Sequence, residues 1–383
     1  MLTKNINFKN FKIKKKNFFL KNELNKLLKN DSQLIRSLST SYKNKYNIKK
    51  INKISSRLDL RIIGIGGSIL GSRAIYDFLQ KKIKKKIIFI DDISKKENLN
   101  KKRYLNLIIS KSGNTLETIS NINLNINRRD KNLFITENKR SFLFDLANKL
   151  KSEIIEHNNY IGGRYSVLSE VGMLPAELMG LNPKKFRQLD NLVKNKKFLN
   201  SLIENVNAIL FYLKNKKSNS VIINYNQRMN SFFYWYQQLV AESLGKKNKG
   251  LLPIISSMPK DNHSLMQLYL DGNKNNFYTF CHVYEKNTPK IKKDFLNKKF
   301  QYLKDNSINQ IFLNQKNATE KVFLKKKIPF RTFEIKLISE QTLGELFCFC
   351  ILETILLAKA LKINPFDQPA VELIKNETKK FFI

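Results

Sequence analysis

The sequence predicts an α/β protein built from two doubly wound parallel-sheet units with flanking helices. Two observations carry that prediction. Short apolar runs alternate with helix-length segments along most of the 383 residues, the pattern of strands buried on both faces. Glycine is scarce, 13 in the chain, and it gathers just after predicted strands, where a parallel α/β fold places its binding loops.

Residues 1–55 are expected to form a helical segment with loops. The first α/β unit, 56–182, has predicted strands at Leu58–Ile65, Ile87–Ile90, Leu105–Ile109, Leu133–Thr136 and Glu153–Ile155, with a helix near Thr115–Asn125. A helical stretch from Pro183 to Lys214 leads into the second unit, 183–362. Its predicted strands are Val221–Tyr225, Phe277–Val283, Gln310–Leu313 and Phe330–Ile335, and its helices Met229–Leu244 and Glu340–Leu361. Residues 363–383 form a separate C-terminal segment and helix.

Composition narrows the functional classes. Lys and Arg total 71 against 31 Asp and Glu, a formal charge of +40. Such an excess attracts polyanions, but lysine, Asn and Ile are over-used throughout, which marks a compositional habit and not a built face. Zinc-finger spacing and RNA-binding aromatic signatures are absent, so no specific nucleic-acid partner is expected. Three cysteines exclude a disulfide framework and fit a reducing cytoplasm. Cys348 and Cys350, two apart on a helix, diverge and make no metal clip. No secretory leader and no apolar run of membrane-spanning length is read, and Glu353 interrupts the nearest candidate, Leu346–Leu357.

The glycines point to an anion. Gly64, Gly66, Gly67 and Gly71 follow the first predicted strand, with Ser68 among them. No acidic residue is placed to hold a dinucleotide ribose, and the Gly-Lys-Ser/Thr ending of a nucleotide loop is missing. A small phosphorylated molecule fits better. The next such turn, Ser110-Lys-Ser-Gly-Asn-Thr115, offers three hydroxyls at Ser110, Ser112 and Thr115, with Lys111 adding charge. Helix capping is the plainer explanation of such residues, and two loops of this kind in one unit favour phosphate binding.

Six segments, in order, resemble the glucose-6-phosphate isomerase family with its two sugar-isomerase domains, in its shorter bacterial form. They are Ile63–Ser68, Ser110–Thr118, Gly162–Ser169, Gln238–Ser243, Asn262–Ser264 and Asn364–Lys375. The resemblance implies aldose–ketose isomerisation of a hexose 6-phosphate through a cis-enediol, without metal or organic cofactor. It implies Glu242 as base, Arg164 as the charge that stabilises the enediolate, and His263 and Lys375 in ring opening. Gly67, Ser68, Ser110, Lys111, Ser112, Thr115, Gln238 and Gln368 would contact substrate. It also implies a homodimer in which the histidine is borrowed from the neighbouring subunit. A non-catalytic phosphosugar sensor is the rival from another class, and use of mannose 6-phosphate is left open.

Overall fold

The computed structural model describes residues 2–13, 18–55, 58–93, 103–127 and 129–382. The expected start of the first unit at 56 lies outside the described residues. Two five-stranded sheets organise the chain. In chain order the strands are β1 (Ile6–Lys9), β2 (Asp59–Ile63), β3 (Ile87–Ile90), β4 (Tyr104–Ile109), β5 (Lys131–Thr136), β6 (Glu153–Glu156), β7 (Asn219–Asn224), β8 (Leu252–Ser257), β9 (Asn276–Val283) and β10 (Phe330–Ile335). Counting helices of eight residues or more, α1 is Phe18–Lys29, α2 Ile48–Ser55, α3 Leu70–Leu79, α4 Leu116–Asn125, α5 Phe142–Lys149 and α6 Glu170–Leu178. They continue with α7 (Lys196–Lys214), α8 (Asn230–Leu244), α9 (Ile308–Lys325), α10 (Glu340–Leu361) and α11 (Pro369–Lys380).

The first sheet is wholly parallel in the order β3-β2-β4-β5-β6. Its first strand in sequence therefore lies between the second and third, as doubly wound sheets require. That places a switch point, where successive crossovers leave on opposite faces, between β2 and β4. The second sheet repeats the pattern with β7, β8, β9 and β10, and β1 joins its far edge antiparallel to β10. The doubly wound prediction holds for both sheets, with this one antiparallel edge added.

Three local predictions need correction. Gln310–Leu313 is not a strand but lies inside α9, whose start is capped by the Ser307 hydroxyl accepting from the Gln310 amide at 3.2 Å. That short apolar run belongs to an 18-residue helix. The missing strand is β8, hidden in the sequence by Pro253, and proline is tolerated there because β8 is an edge. Residues 1–55 hold β1 besides their helices, and its Ile6 and Phe8 alternate inward. The Pro183–Lys214 stretch is helical, as expected, and divides into Pro183–Phe186, Leu189–Leu192 and α7, because Arg187 and Asn195 leave helical geometry between them.

One continuous core joins both sheets, running from Leu60, Leu105 and Leu133 through Trp235 and Phe347 to Ile222 and Phe277. Its spine is α10, apolar around its circumference and buried for most of its length, as a helix packed on all sides must be. Within that apolar setting Glu353 accepts from Arg331, Asn205 and Tyr236. The pair is sealed, with side-chain exposures of 2% for Arg331 and 0% for Glu353.

β1 is held partly by charge. Glu334 on β10 accepts from Lys316 (2.6 Å), Asn7 (2.7 Å) and Lys9 (2.9 Å). Burial alone would raise this carboxyl, but the hydrogen bonds of Lys316, Lys9 and Asn7 outweigh it and bring it down to about 2. A carboxyl depressed on folding stabilises fully above its unfolded value, 4.5, and loses that contribution as pH falls toward 2. Unfolding followed at stepped pH is therefore expected to show a shallower decline over that window in Glu334→Gln than in wild type.

Candidate active site

The site grows from the switch point of the first sheet. β2 ends in the Gly66–Ser68 turn that opens α3, and β4 ends in the Ser110–Thr115 turn that opens α4. Parallel neighbours deliver both turns to the same sheet edge, and amides at a helix start face it. Ser110 Oγ lies 2.8 Å from Thr115 Oγ1, and the Asn114 amide donates to Ser112 Oγ at 3.3 Å. Gly113 bends this turn at φ +68°, in the left-handed region. Lys111 is turned aside: its ammonium donates to the Asn159 carbonyl at 2.9 Å and lies 3.7 Å from Glu137. Burial lowers its pKa, with Glu137 opposing.

Gly67 explains how the glycine turn meets the rest of the site. A Cβ there would sit 2.3 Å from the Gly163 carbonyl carbon, so the two backbones touch at a distance only glycine permits. Gly67→Ala should force these turns apart and cost about 1–3 kcal/mol. Urea unfolding of the purified variant tests this, and an unchanged midpoint would contradict the contact.

Gly163 hands the chain to Arg164, whose side chain is 2% exposed and fully engaged. Its Nη1 donates to Glu242 Oε2 at 3.0 Å and to Gln368 Oε1 at 2.7 Å. Nη2 donates to the Pro365 carbonyl at 2.7 Å and the Asp367 carbonyl at 3.1 Å, and Nε to Ser243 Oγ at 2.9 Å. The guanidinium thus ties two chain segments, Glu242–Ser243 and Pro365–Gln368, to one rigid charge.

Helix α8 supplies one wall. Trp235, Gln238, Glu242 and Ser243 recur at three-, seven- and eight-residue offsets, which share a helical face. Trp235 Nε1 donates to the Arg164 carbonyl at 3.1 Å, and Gln238 Nε2 to Glu242 Oε1 at 2.8 Å. Both Glu242 oxygens are engaged, yet the side chain keeps 30% of its surface open. The structure therefore brings together Arg164, Glu242, Gln238, Gln368 and the Gly67–Ser68 turn, with the hydroxyls of Ser110, Ser112 and Thr115 on the neighbouring strand end.

Two predicted residues stand apart. His263 follows a short turn beyond β8, and its exposed ring has no hydrogen-bond partner among the described residues. β7 and β8 end side by side at that edge, whereas α8 runs back from β7. The 12 residues from Asn230 to Glu242 carry the carboxylate about 18 Å away along the helix axis. Lys375 lies on α11, which buries no residue, and its ammonium pairs with Glu372 at 2.7 Å. The other histidines are internal: burial lowers both His157 and His282 to about 4.

Sequence reasoning missed Trp235, Ser243, Tyr165 and Lys246. Trp235 and Ser243 were available from the helical face shared with Glu242. Tyr165, whose hydroxyl is 2.8 Å from Ser243 Oγ, and Lys246, which donates to the Asp367 carbonyl at 2.7 Å, depend on tertiary contacts alone.

Fold and site together define an α/β protein of the sugar-isomerase class. The chain belongs to the phosphoglucose isomerase family, whose sequence model matches residues 20–382. A glucose-6-phosphate isomerase of Methanocaldococcus jannaschii is 33% identical over 352 residues, covering 85% of this chain and 84% of that one. Among solved structures, a hypothetical protein from Thermus thermophilus superposes with a TM-score of 0.79 at 21% identity, covering 95% of this chain and 94% of that one. A glucose-6-phosphate isomerase from Chlamydia trachomatis gives 0.70 at 20% identity, over 87% and 71%. At these identities the two structures speak to the fold.

Proposed function

We propose that this chain is an aldose–ketose isomerase interconverting glucose 6-phosphate and fructose 6-phosphate, a step of glycolysis and gluconeogenesis. The observation that carries the reading is the Glu242 carboxylate, held by Arg164 and Gln238 beside two anion-ready turns. Isomerisation moves a proton between C2 and C1. In this reading Glu242 removes it from one carbon and returns it to the other, with a cis-enediol between. Arg164 presents a fixed positive charge to the oxygen that becomes negative in that intermediate. Ser110, Ser112, Thr115 and the amides of their turn anchor the phosphate. Gly67, Ser68, Gln238 and Gln368 position the sugar, and Lys111 adds positive charge at the phosphate turn.

Ring opening is assigned to His263 and Lys375. His263 follows the turn beyond β8 and makes no hydrogen bond to Glu242, which sits near the C-terminal end of α8, and this supports a homodimer in which the histidine serving Glu242 comes from a second copy of the chain. The sequence boundaries 1–55, 56–182, 183–362 and 363–383 are retained as domain divisions, with β1 donated to the second unit's sheet. A cytoplasmic location is consistent with three buried free thiols. Among the described residues no helix is long and apolar enough to cross a membrane.

Fructose 6-phosphate conversion, coupled to oxidation of the glucose 6-phosphate formed, tests the activity. Robust turnover is expected. A folded dimer that binds the sugar phosphate without turnover would instead mark a phosphosugar sensor.

A further inference from the structure

His263 occupies an exposed turn, a poor platform for chemistry unless something holds it. Asp261 supplies that hold. Its Oδ2 accepts from the Ser257 amide at 2.7 Å and from Ser256 Oγ at 2.9 Å, both at the end of β8. Its Oδ1 accepts from Ser264 Oγ at 2.9 Å, on the far side of the histidine. One carboxylate thus ties together the residues before and after His263. The turn's backbone agrees: the His263 amide donates to the Lys260 carbonyl at 3.0 Å, and the Leu265 amide to the Asp261 carbonyl at 3.0 Å. Burial opposes ionisation of Asp261, and the hydrogen bonds of Ser256, Ser264 and the Ser257 amide outweigh it.

We infer that Asp261 is a positioning residue that presets the His263 turn for use in the neighbouring subunit's active site. The inference rests on the shared-site reading above. Fixing the turn before the subunits meet avoids ordering it during each turnover, and a 1 Å misplacement of a reacting group costs on the order of 100-fold in rate.

The role is directional, which makes it testable in mixed dimers. Co-expressing an E242Q chain with an H263A chain, under different affinity tags, yields dimers with one intact site. That site takes Glu242 from the H263A chain and His263 from the E242Q chain. Turnover is expected to return to about half of wild type, one of two symmetric sites. D261A is then added to one chain at a time. On the E242Q chain, which donates the histidine, it should lower turnover on the order of 100-fold. On the H263A chain it should change little. D261N on the donating chain, retaining one acceptor oxygen, should lose less than D261A. Equal losses from both placements would reveal a general structural role and overturn the inference while leaving the shared site intact. Failure of the E242Q and H263A chains to complement would overturn the shared site, and the inference with it.

Discussion

Glu242→Gln is expected to lower kcat for fructose 6-phosphate roughly 100- to 10,000-fold, with KM changed little. The amide keeps the size of the side chain and can still accept from Arg164 through its oxygen. What it cannot do is carry a proton between C2 and C1. Loss confined to kcat therefore separates the base from a residue that only holds substrate. Far-UV circular dichroism and gel filtration of the variant check that fold and assembly are kept. A variant with more than a tenth of wild-type turnover would remove Glu242 from the role of base.

The largest loss of stability is expected from Glu353→Ala, about 3–5 kcal/mol. Arg331 and Glu353 are both sealed in the core, and removing the carboxylate leaves a guanidinium without its counter-ion. Tyr236, on the helix that carries Glu242, would also lose its acceptor, so part of the damage should reach the active-site wall. Replacing both members by apolar residues of similar volume should be much milder, since the charges then no longer need desolvating. Urea unfolding of Glu353→Ala beside Arg331→Met/Glu353→Leu measures the difference. A single variant as stable as the double would contradict this account.

The two-sheet architecture was legible because parallel strands are apolar along their length and glycine is rare enough here for its placement to inform. What escaped depended on distance or on context. β1 pairs with a strand more than 300 residues away, so Ile6 and Phe8 looked like part of a basic, broken segment. Pro253 disguised β8, because the edge position that tolerates it is a property of the assembled sheet. Gln310–Leu313 has the composition of a strand and the surroundings of a helix, and length decided for the helix.

The candidate site divides in the same way. Arg164, Glu242 and Gln368 meet in one hydrogen-bonded cluster, yet no local pattern announces that a residue at 164 touches one at 368. Lys111 is expected at the phosphate from its place in the turn. In the fold its ammonium is engaged by Asn159 and Glu137. Neither His263 nor Lys375 bonds to Glu242 within the chain, and Lys375 pairs instead with Glu372, which spacing along a sequence does not reveal.

The most direct test of the central claim follows the hydrogen itself. Glucose 6-phosphate carrying deuterium at C2 is turned over in ordinary water, and the fructose 6-phosphate formed is examined by NMR. A single carboxylate acting through a cis-enediol predicts that some deuterium reaches C1 and some is lost to solvent. Complete retention at C1 would indicate direct hydride transfer and contradict the account, as would the absence of any conversion.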